Sequence, residues 1–282
     1  MSGEKTRLVS SSGVSIPQIL YGTAWKKDRT APLVATAIRS GFRGIDTACQ
    51  PKHYNEPGVG EGIALALDTG LTRSDLYIQS KFTPVRGQDP GNIPYDPSAS
   101  LAQQVSQSLI ASLRNLRTDV LDCLLLHSPL QTEAQMREVW QAMEAGVDSG
   151  SVRQLGISNC YELEDLEWLY QAARIKPAVV QNRFYQETGY DRSIRTFCRE
   201  RGILYEGFWI ITANPHLLAH SVFQNLAAHY QCSPAHILFR ALIQNDIIPL
   251  IGTTSEAHMH EDQEIFNFEL TQSECAQIDK LM

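Results

Sequence analysis

The chain has 282 residues, a formal net charge of −7 and 43% apolar residues. That length fits one domain around a single large core, and the acidic balance argues against a general nucleic-acid surface. No apolar run is long enough to span a bilayer, and the opening residues lack the apolar segment of a secretory signal, so a cytoplasmic protein is expected.

Residues 7–18 alternate around Ser10–Gly13 and predict a β-hairpin. Eight short apolar runs follow, at 19–23, 44–48, 76–82, 123–127, 155–159, 179–182, 204–209 and 247–252, and a helical pattern follows almost every one. The first two helices are expected at 31–40 and 59–67. A third, at 99–116, shows a clear stripe of Leu101, Val105, Leu109, Leu113 and Leu116. Helices at 132–145, 161–173 and 189–201 follow the fourth, fifth and sixth runs, and helices at 216–230 and 234–244 precede the last. A final helix at 271–281 opens on Thr271, with Glu274 placed to complete a capping box.

This order predicts a (β/α)8 TIM barrel, α/β in class, over 1–282 as a single domain, with the N-terminal hairpin closing the barrel floor. The C-terminal strand ends of such a barrel converge on one rim, where chemistry is done. The rim residues here are Asp46, Lys81, His127, Asn159, Gln181 and Phe208. Three of them have a plain structural alternative when taken singly: Asp46 as a helix cap, Lys81 as a solvated charge, His127 as a core histidine. Prolines and glycines keep 83–98 from becoming helix or strand. A long loop leaving the rim is expected to wall the substrate pocket, the alternative being a surface loop without a role. The six cysteines, at 49, 123, 160, 198, 232 and 275, form no CxxC pair, and Cys123 reads as a core residue.

Six strings occur in register: Gly44–Ala48 (GlyIleAspThrAla), Tyr54–Ile63 (TyrAsnGluProGlyValGlyGluGlyIle), Ser80–Pro84 (SerLysPheThrPro), Leu125–Pro129 (LeuLeuHisSerPro), Leu155–Asn159 (LeuGlyIleSerAsn) and Val180–Tyr185 (ValGlnAsnArgPheTyr). Together they resemble aldo-keto reductases over nearly the whole chain. The resemblance implies NAD(P)H-dependent reduction of a small-molecule aldehyde or ketone, with the cofactor bound without a Rossmann fold. It implies a catalytic tetrad at Asp46, Tyr54, Lys81 and His127. The chemistry accounts for these residue types. Hydride arriving at a carbonyl carbon leaves negative charge on the oxygen, which must be stabilised and protonated. A phenol has an ordinary pKa of about 10, and a neighbouring ammonium lowers it. Tyr54 is then the general acid, Lys81 its tuner, Asp46 the partner that fixes Lys81, and His127 the group that orients the carbonyl. The spacing from Asp46 to Tyr54 is longer than in many relatives, by residues within 49–53, and this insertion is expected to bring His53 close to the pocket.

On the cofactor side, the resemblance implies that Ser158, Asn159 and Gln181 hold the nicotinamide carboxamide beside Asp46. Gly22 and Thr23 would approach through backbone, and Phe208 would stack on the ring where relatives usually have Tyr. Trp209 replaces a small residue on the pyrophosphate path. The segment 252–262 resembles the one that grips the adenosine 2′-phosphate of NADPH, where a helix start presents free N–H groups. Relatives supply Lys, Ser, Arg, Glu and Asn at positions matching Gly252, Thr253, His258, Glu261 and Asp262. Two fixed positive charges are therefore lost and one negative charge is gained. NADPH held by Thr253, Thr254 and His258 is the expected cofactor, with NADH the second candidate. No metal is expected, because His258 and His260 point to different helix faces. The glycines at 58–62 are no dinucleotide fingerprint, since no apolar strand leads directly into them.

Trp25, Phe82 and Tyr95, with His127 and Trp209, suggest an apolar substrate pocket; core packing is the competing reading for Phe82. The chain stops soon after the last helix, where many relatives carry a longer tail, so the pocket is expected to be open on that side. Two further functions fit the same fold: a cofactor-binding regulatory protein with little turnover, and an enzyme of specialised metabolism acting on an imine or enone. A monomer is expected, and no residue identifies the substrate.

Overall fold

Alternation of short apolar runs with amphipathic stretches closes into a ring of eight parallel strands in the structure, a computed structural model that describes residues 6–68 and 70–282. The opening residues 1–5, read above as lacking a leader, lie outside the described residues. A hairpin comes first, β1 (Arg7–Val9) and β2 (Ser15–Pro17). The barrel strands are β3 (Leu20–Gly22), β4 (Gly44–Asp46), β5 (Tyr77–Phe82), β6 (Cys123–Leu126), β7 (Leu155–Ser158), β8 (Val179–Arg183), β9 (Leu204–Phe208) and β10 (Ile247–Ile251). Neighbours in sequence are neighbours in the ring, and β10 closes it by pairing with β3, Leu250 opposite Leu20.

Around the ring lie α1 (Thr30–Arg39), α2 (Glu56–Leu67), α3 (Leu101–Leu116), α4 (Glu133–Asp148), α5 (Leu163–Ala172), α6 (Arg192–Glu200), α7 (Pro215–Ala219), α8 (Ser221–Tyr230), α9 (Pro234–Gln244), α10 (Glu256–Glu264) and α11 (Gln272–Asp279). None of the described helices is long and apolar enough to cross a membrane.

Successive side chains of a strand point to opposite faces of the wall, so each strand feeds two cores. Outward residues such as Ile45, Ile78, Leu124, Ile157 and Val180 pack with Val34, Ile63 and Trp140 of the helices. Inward residues Leu20, Tyr77, Cys123, Leu125, Val179 and Ile248 form a second buried cluster with Ile16 of β2. The hairpin therefore stoppers the floor, as its sequence predicts, and Ser10 Oγ pins it by donating to Gln154 Oε1 at 2.6 Å.

Two elements differ from the sequence reading. The helix expected at 216–230 is two, because His220 is extended (φ −69°, ψ 140°) and caps α8 by accepting the Val222 N–H at Nδ1. The helix expected from 189 begins at Arg192, because Gly189, Tyr190 and Asp191 sit at φ 60°, 55° and 53°. That turn is held to the barrel by Asp191, which accepts from Asn182 Nδ2 at 2.7 Å and the Tyr205 hydroxyl at 2.9 Å. The capping box on α11 forms as expected, Thr271 N–H to Glu274 at 2.7 Å and Glu274 N–H to Thr271 Oγ1 at 3.3 Å.

Candidate active site

Inward positions above the apolar floor are polar, and five of them meet. Lys81 donates through Nζ to both oxygens of Asp46, at 2.6 and 2.7 Å, and to the Thr47 carbonyl at 2.9 Å. Gln79 donates through Nε2 to Asp46 at 2.9 Å and to Glu206 at 2.7 Å. Gln181 does the same, at 2.9 and 2.8 Å. All five are buried, and Glu206 Oε1 has no hydrogen-bond partner among the described residues. Gln79 and Glu206 are absent from the sequence-based site. They stand two residues before Lys81 and Phe208, so extending those rim positions by the strand period of two points to both.

Tyr54 reaches this cluster from the β4–α2 loop. Lys81 Nζ lies 5.4 Å from its ring centroid, and the His127 ring is edge-on at 6.0 Å between centroids. The structure thus brings Asp46, Tyr54, Lys81 and His127 together. Burial pulls the Lys81 ammonium down, but the attraction of Asp46, then of Tyr54 and Glu206, outweighs it and leaves the group above its ordinary pKa. For Tyr54 burial raises the pKa and Lys81 opposes it, with a net shift upward. The ammonium therefore acts in the expected direction but does not outweigh desolvation. Burial first, then the Lys81 charge, lowers His127 to about 3. Burial also raises Glu206 to about 7, with Asp46 adding to the shift and the two amide hydrogen bonds opposing it.

A shelf lies beside the cluster. Ser158 and Gln181 stand opposite each other on β7 and β8. Gln181 spends both amide hydrogens on the carboxylates, leaving Oε1 as an acceptor. Ser158 Oγ accepts from Asn159 at 3.2 Å and keeps its own proton to donate. A donor and an acceptor side by side match the two ends of a primary carboxamide, so these residues fit a nicotinamide. Asn159 acts as a brace, since its other amide hydrogen goes to the His127 carbonyl at 2.8 Å. Thr23 is fully buried and turns inward, its N–H and hydroxyl both donating to the Asp46 carbonyl at 3.1 and 2.9 Å. Gly22 ends β3 beside β10. Phe208 ends β9, and Trp209 follows at φ 58° and half exposed, with the Arg183 guanidinium 4.3 Å from its ring centroid.

At the end of β10, Gly252 and Thr254 are exposed, as are His258 and Glu261 on α10, while Thr253 is half-buried. Asp262 is not with them. It is buried against His236, Oδ1 3.4 Å from Nε2, so its charge is turned away from that surface. Lys26, which the sequence reading passes over, hydrogen-bonds the Gly252 carbonyl, and its Nζ lies 3.6 Å from where a Cβ on Gly252 would stand.

Trp25 is 57% exposed and stacks on His53, ring centroids 4.0 Å apart. The insertion at 49–53 thus brings His53 to the mouth, where a cavity of about 560 Å³ runs past Trp25, Cys49, His53 and Tyr54 to Asn92 and Pro94 of the long loop. Phe82 and Tyr95 are not placed at the mouth. Phe82 points outward from β5, opposite in sense to Lys81, and is fully buried; Tyr95 packs on it at 5.7 Å between centroids.

The family model described as "Aldo/keto reductase family" matches residues 18–205 and 212–282, and the matched stretches leave out the segment carrying Glu206, Phe208 and Trp209. The chain is 36% identical over 249 residues to the uncharacterized oxidoreductase YtbE of Bacillus subtilis, covering 88% of this chain and 82% of that one. It is 32% identical over 248 residues to glyoxal reductase of the same organism, with coverage of 88% and 82%. The crystal structure of an aldo/keto reductase from Brucella melitensis superposes with a TM-score of 0.82 at 26% identity, over 98% of this chain and 99% of that one.

Proposed function

The chain belongs to the aldo/keto reductase family, and from that premise we propose that it reduces an aldehyde or ketone to an alcohol with NADPH, and less readily with NADH. The observation behind this reading is the sealed Lys81–Asp46 pair set beside the Tyr54 ring at the barrel mouth. When bound, the dihydronicotinamide supplies hydride to the carbonyl carbon.

Tyr54 gives its proton to the carbonyl oxygen as charge develops there. Burial keeps that proton on the phenol until it is needed, and Lys81 stabilises the phenolate left behind. Asp46 holds Lys81 charged and in place. His127 stays neutral across the physiological range and donates a hydrogen bond that orients the carbonyl. Ser158 and Gln181 hold the carboxamide, and Phe208 offers its ring face. Thr253, Thr254 and His258 hold the 2′-phosphate, and Lys26 supplies the cation that Gly252 lacks. Without a fixed Arg at 258 the preference over NADH is weak.

The substrate enters past Trp25 and His53, and its remote part lies in the cavity lined by the 49–53 insertion. Oxidation of NADPH and NADH by a panel of aldehydes and ketones, with the alcohol identified as product, tests the reading. No oxidation above background with any of them would refute it.

A further inference from the structure

We propose that Thr83 is a positioning residue that fixes His127 as the tautomer with its proton on Nε2, the nitrogen free to meet the substrate oxygen. The inference rests on the carbonyl-reduction reading and extends it to a side chain outside the tetrad. Thr83 Oγ1 lies 2.6 Å from His127 Nδ1, and Thr83 is 3% exposed. A neutral imidazole has one N–H and one bare nitrogen, and the partner of one nitrogen decides the state of the other. His127 is neutral at physiological pH, lowered to about 3 by burial and by Lys81, so its tautomer rather than its charge determines whether it can donate.

Counting donors decides between the tautomers. His127 Nδ1 is the one hydrogen-bond partner of Thr83 Oγ1 among the described residues. If Nδ1 carried the proton, the threonine hydroxyl proton would be buried with no acceptor, which is unfavourable. If Thr83 donates to Nδ1, that proton is satisfied and the ring N–H falls on Nε2. Nε2 has no hydrogen-bond partner among the described residues, which leaves it for a ligand.

Both partners are held by other contacts. The Thr83 carbonyl accepts from the Tyr95 hydroxyl at 2.6 Å and from Gln88 Nε2 at 3.1 Å, and Gln88 also donates to the Cys49 carbonyl at 2.9 Å. His127 N–H donates to the Phe82 carbonyl at 2.9 Å, and its own carbonyl accepts from Asn159. The 83–98 loop thus folds back to lock Thr83, in addition to lining the cavity through Asn92 and Pro94.

The test uses the full chain labelled with 15N-histidine. Long-range 1H–15N NMR reads the tautomer of His127, assigned by the signal lost in His127→Gln. Thr83→Val removes the hydroxyl at nearly constant shape, and Thr83→Ser retains it. The expected result is Nε2–H in the wild type and Thr83→Ser, with population moved to Nδ1–H in Thr83→Val. In Thr83→Val, kcat/KM for an aldehyde should fall at least about tenfold, towards the ~10²-fold that loss of an oxyanion donor costs, and Thr83→Ser should recover most of it. NADPH affinity should be unchanged in both. Retention of Nε2–H in Thr83→Val, or a shifted tautomer with wild-type turnover, would overturn the proposal. A wild type that reduces no carbonyl would instead overturn the reading of function, while the NMR comparison still decides whether Thr83 sets the tautomer.

Discussion

Lys81 and Asp46 meet in a two-point contact of 2.6 and 2.7 Å, with side chains only 1% and 3% exposed. Removing one partner of a buried ion pair leaves the other charged and desolvated. Lys81→Met should therefore lower the unfolding free energy by about 3–5 kcal/mol, measured in denaturant titrations. A loss below about 1 kcal/mol, the range of exposed pairs, would show that water reaches the pair in solution.

Tyr54→Phe keeps the ring and removes the proton. Carbonyl reduction should drop about 10²- to 10⁴-fold, the usual contribution of a general acid, while NADPH affinity measured by fluorescence titration stays put. Turnover close to wild type would mean that another group protonates the product.

Glu206 gives stability a pH dependence. Its folded pKa is raised from 4.5 to about 7, chiefly by burial, so the folded chain holds a proton that the unfolded chain has already released. The resulting stabilisation is complete below the unfolded pKa and is lost as pH rises through about 7, amounting to roughly 3 kcal/mol at most. Glu206→Gln should flatten the fall in unfolding free energy between about pH 5 and about pH 8, whatever its absolute offset. An identical slope in the variant would place the titration elsewhere.

Lys26 holds its ammonium against the Gly252 carbonyl, 3.6 Å from where a Cβ at that position would stand. Lys26→Ala should weaken NADPH binding by a few-fold to about tenfold and NADH binding much less. Adding Gly252→Lys to that variant should restore NADPH affinity, since a Cβ at 252 meets nothing closer than 3.6 Å. Equal losses for the two cofactors would assign Lys26 to the pyrophosphate instead.

Thiol reactivity checks the packing independently of activity. Cys49, Cys123, Cys160 and Cys198 are buried, and burial raises Cys49 and Cys198 to about 12. Cys232 and Cys275 are only half-buried. In the native protein a thiol reagent should modify these two slowly and the other four not at all, with all six reacting in denaturant. Rapid labelling of Cys49 would show the mouth to be open on the 49–53 side.

The strands were legible because a parallel strand covered on both faces shows as an apolar run, and its active end shows as an abrupt polar residue. Asp46, Lys81 and His127 are such residues. What stayed hidden depended on partners far off in sequence. Thr83 gains its meaning from His127, 44 positions away, and Lys26 from Gly252, 226 away. Gln79 and Glu206 lie inside runs that look apolar overall, and only alternation separates them from their neighbours. The break at His220 and the left-handed turn at 189–191 reflect tertiary anchoring that local propensity does not encode.

The pairing of Leu250 with Leu20 also bears on biosynthesis. Until β10 emerges from the ribosome, β3 and β9 each present a bare row of amides and carbonyls, the kind of edge on which strands of other nascent chains add. Joining such distant segments is entropically slow, so the β3 edge stays unsealed from early in synthesis until β10 is made. Shielding of that edge during the interval should therefore reduce aggregation of the nascent chain.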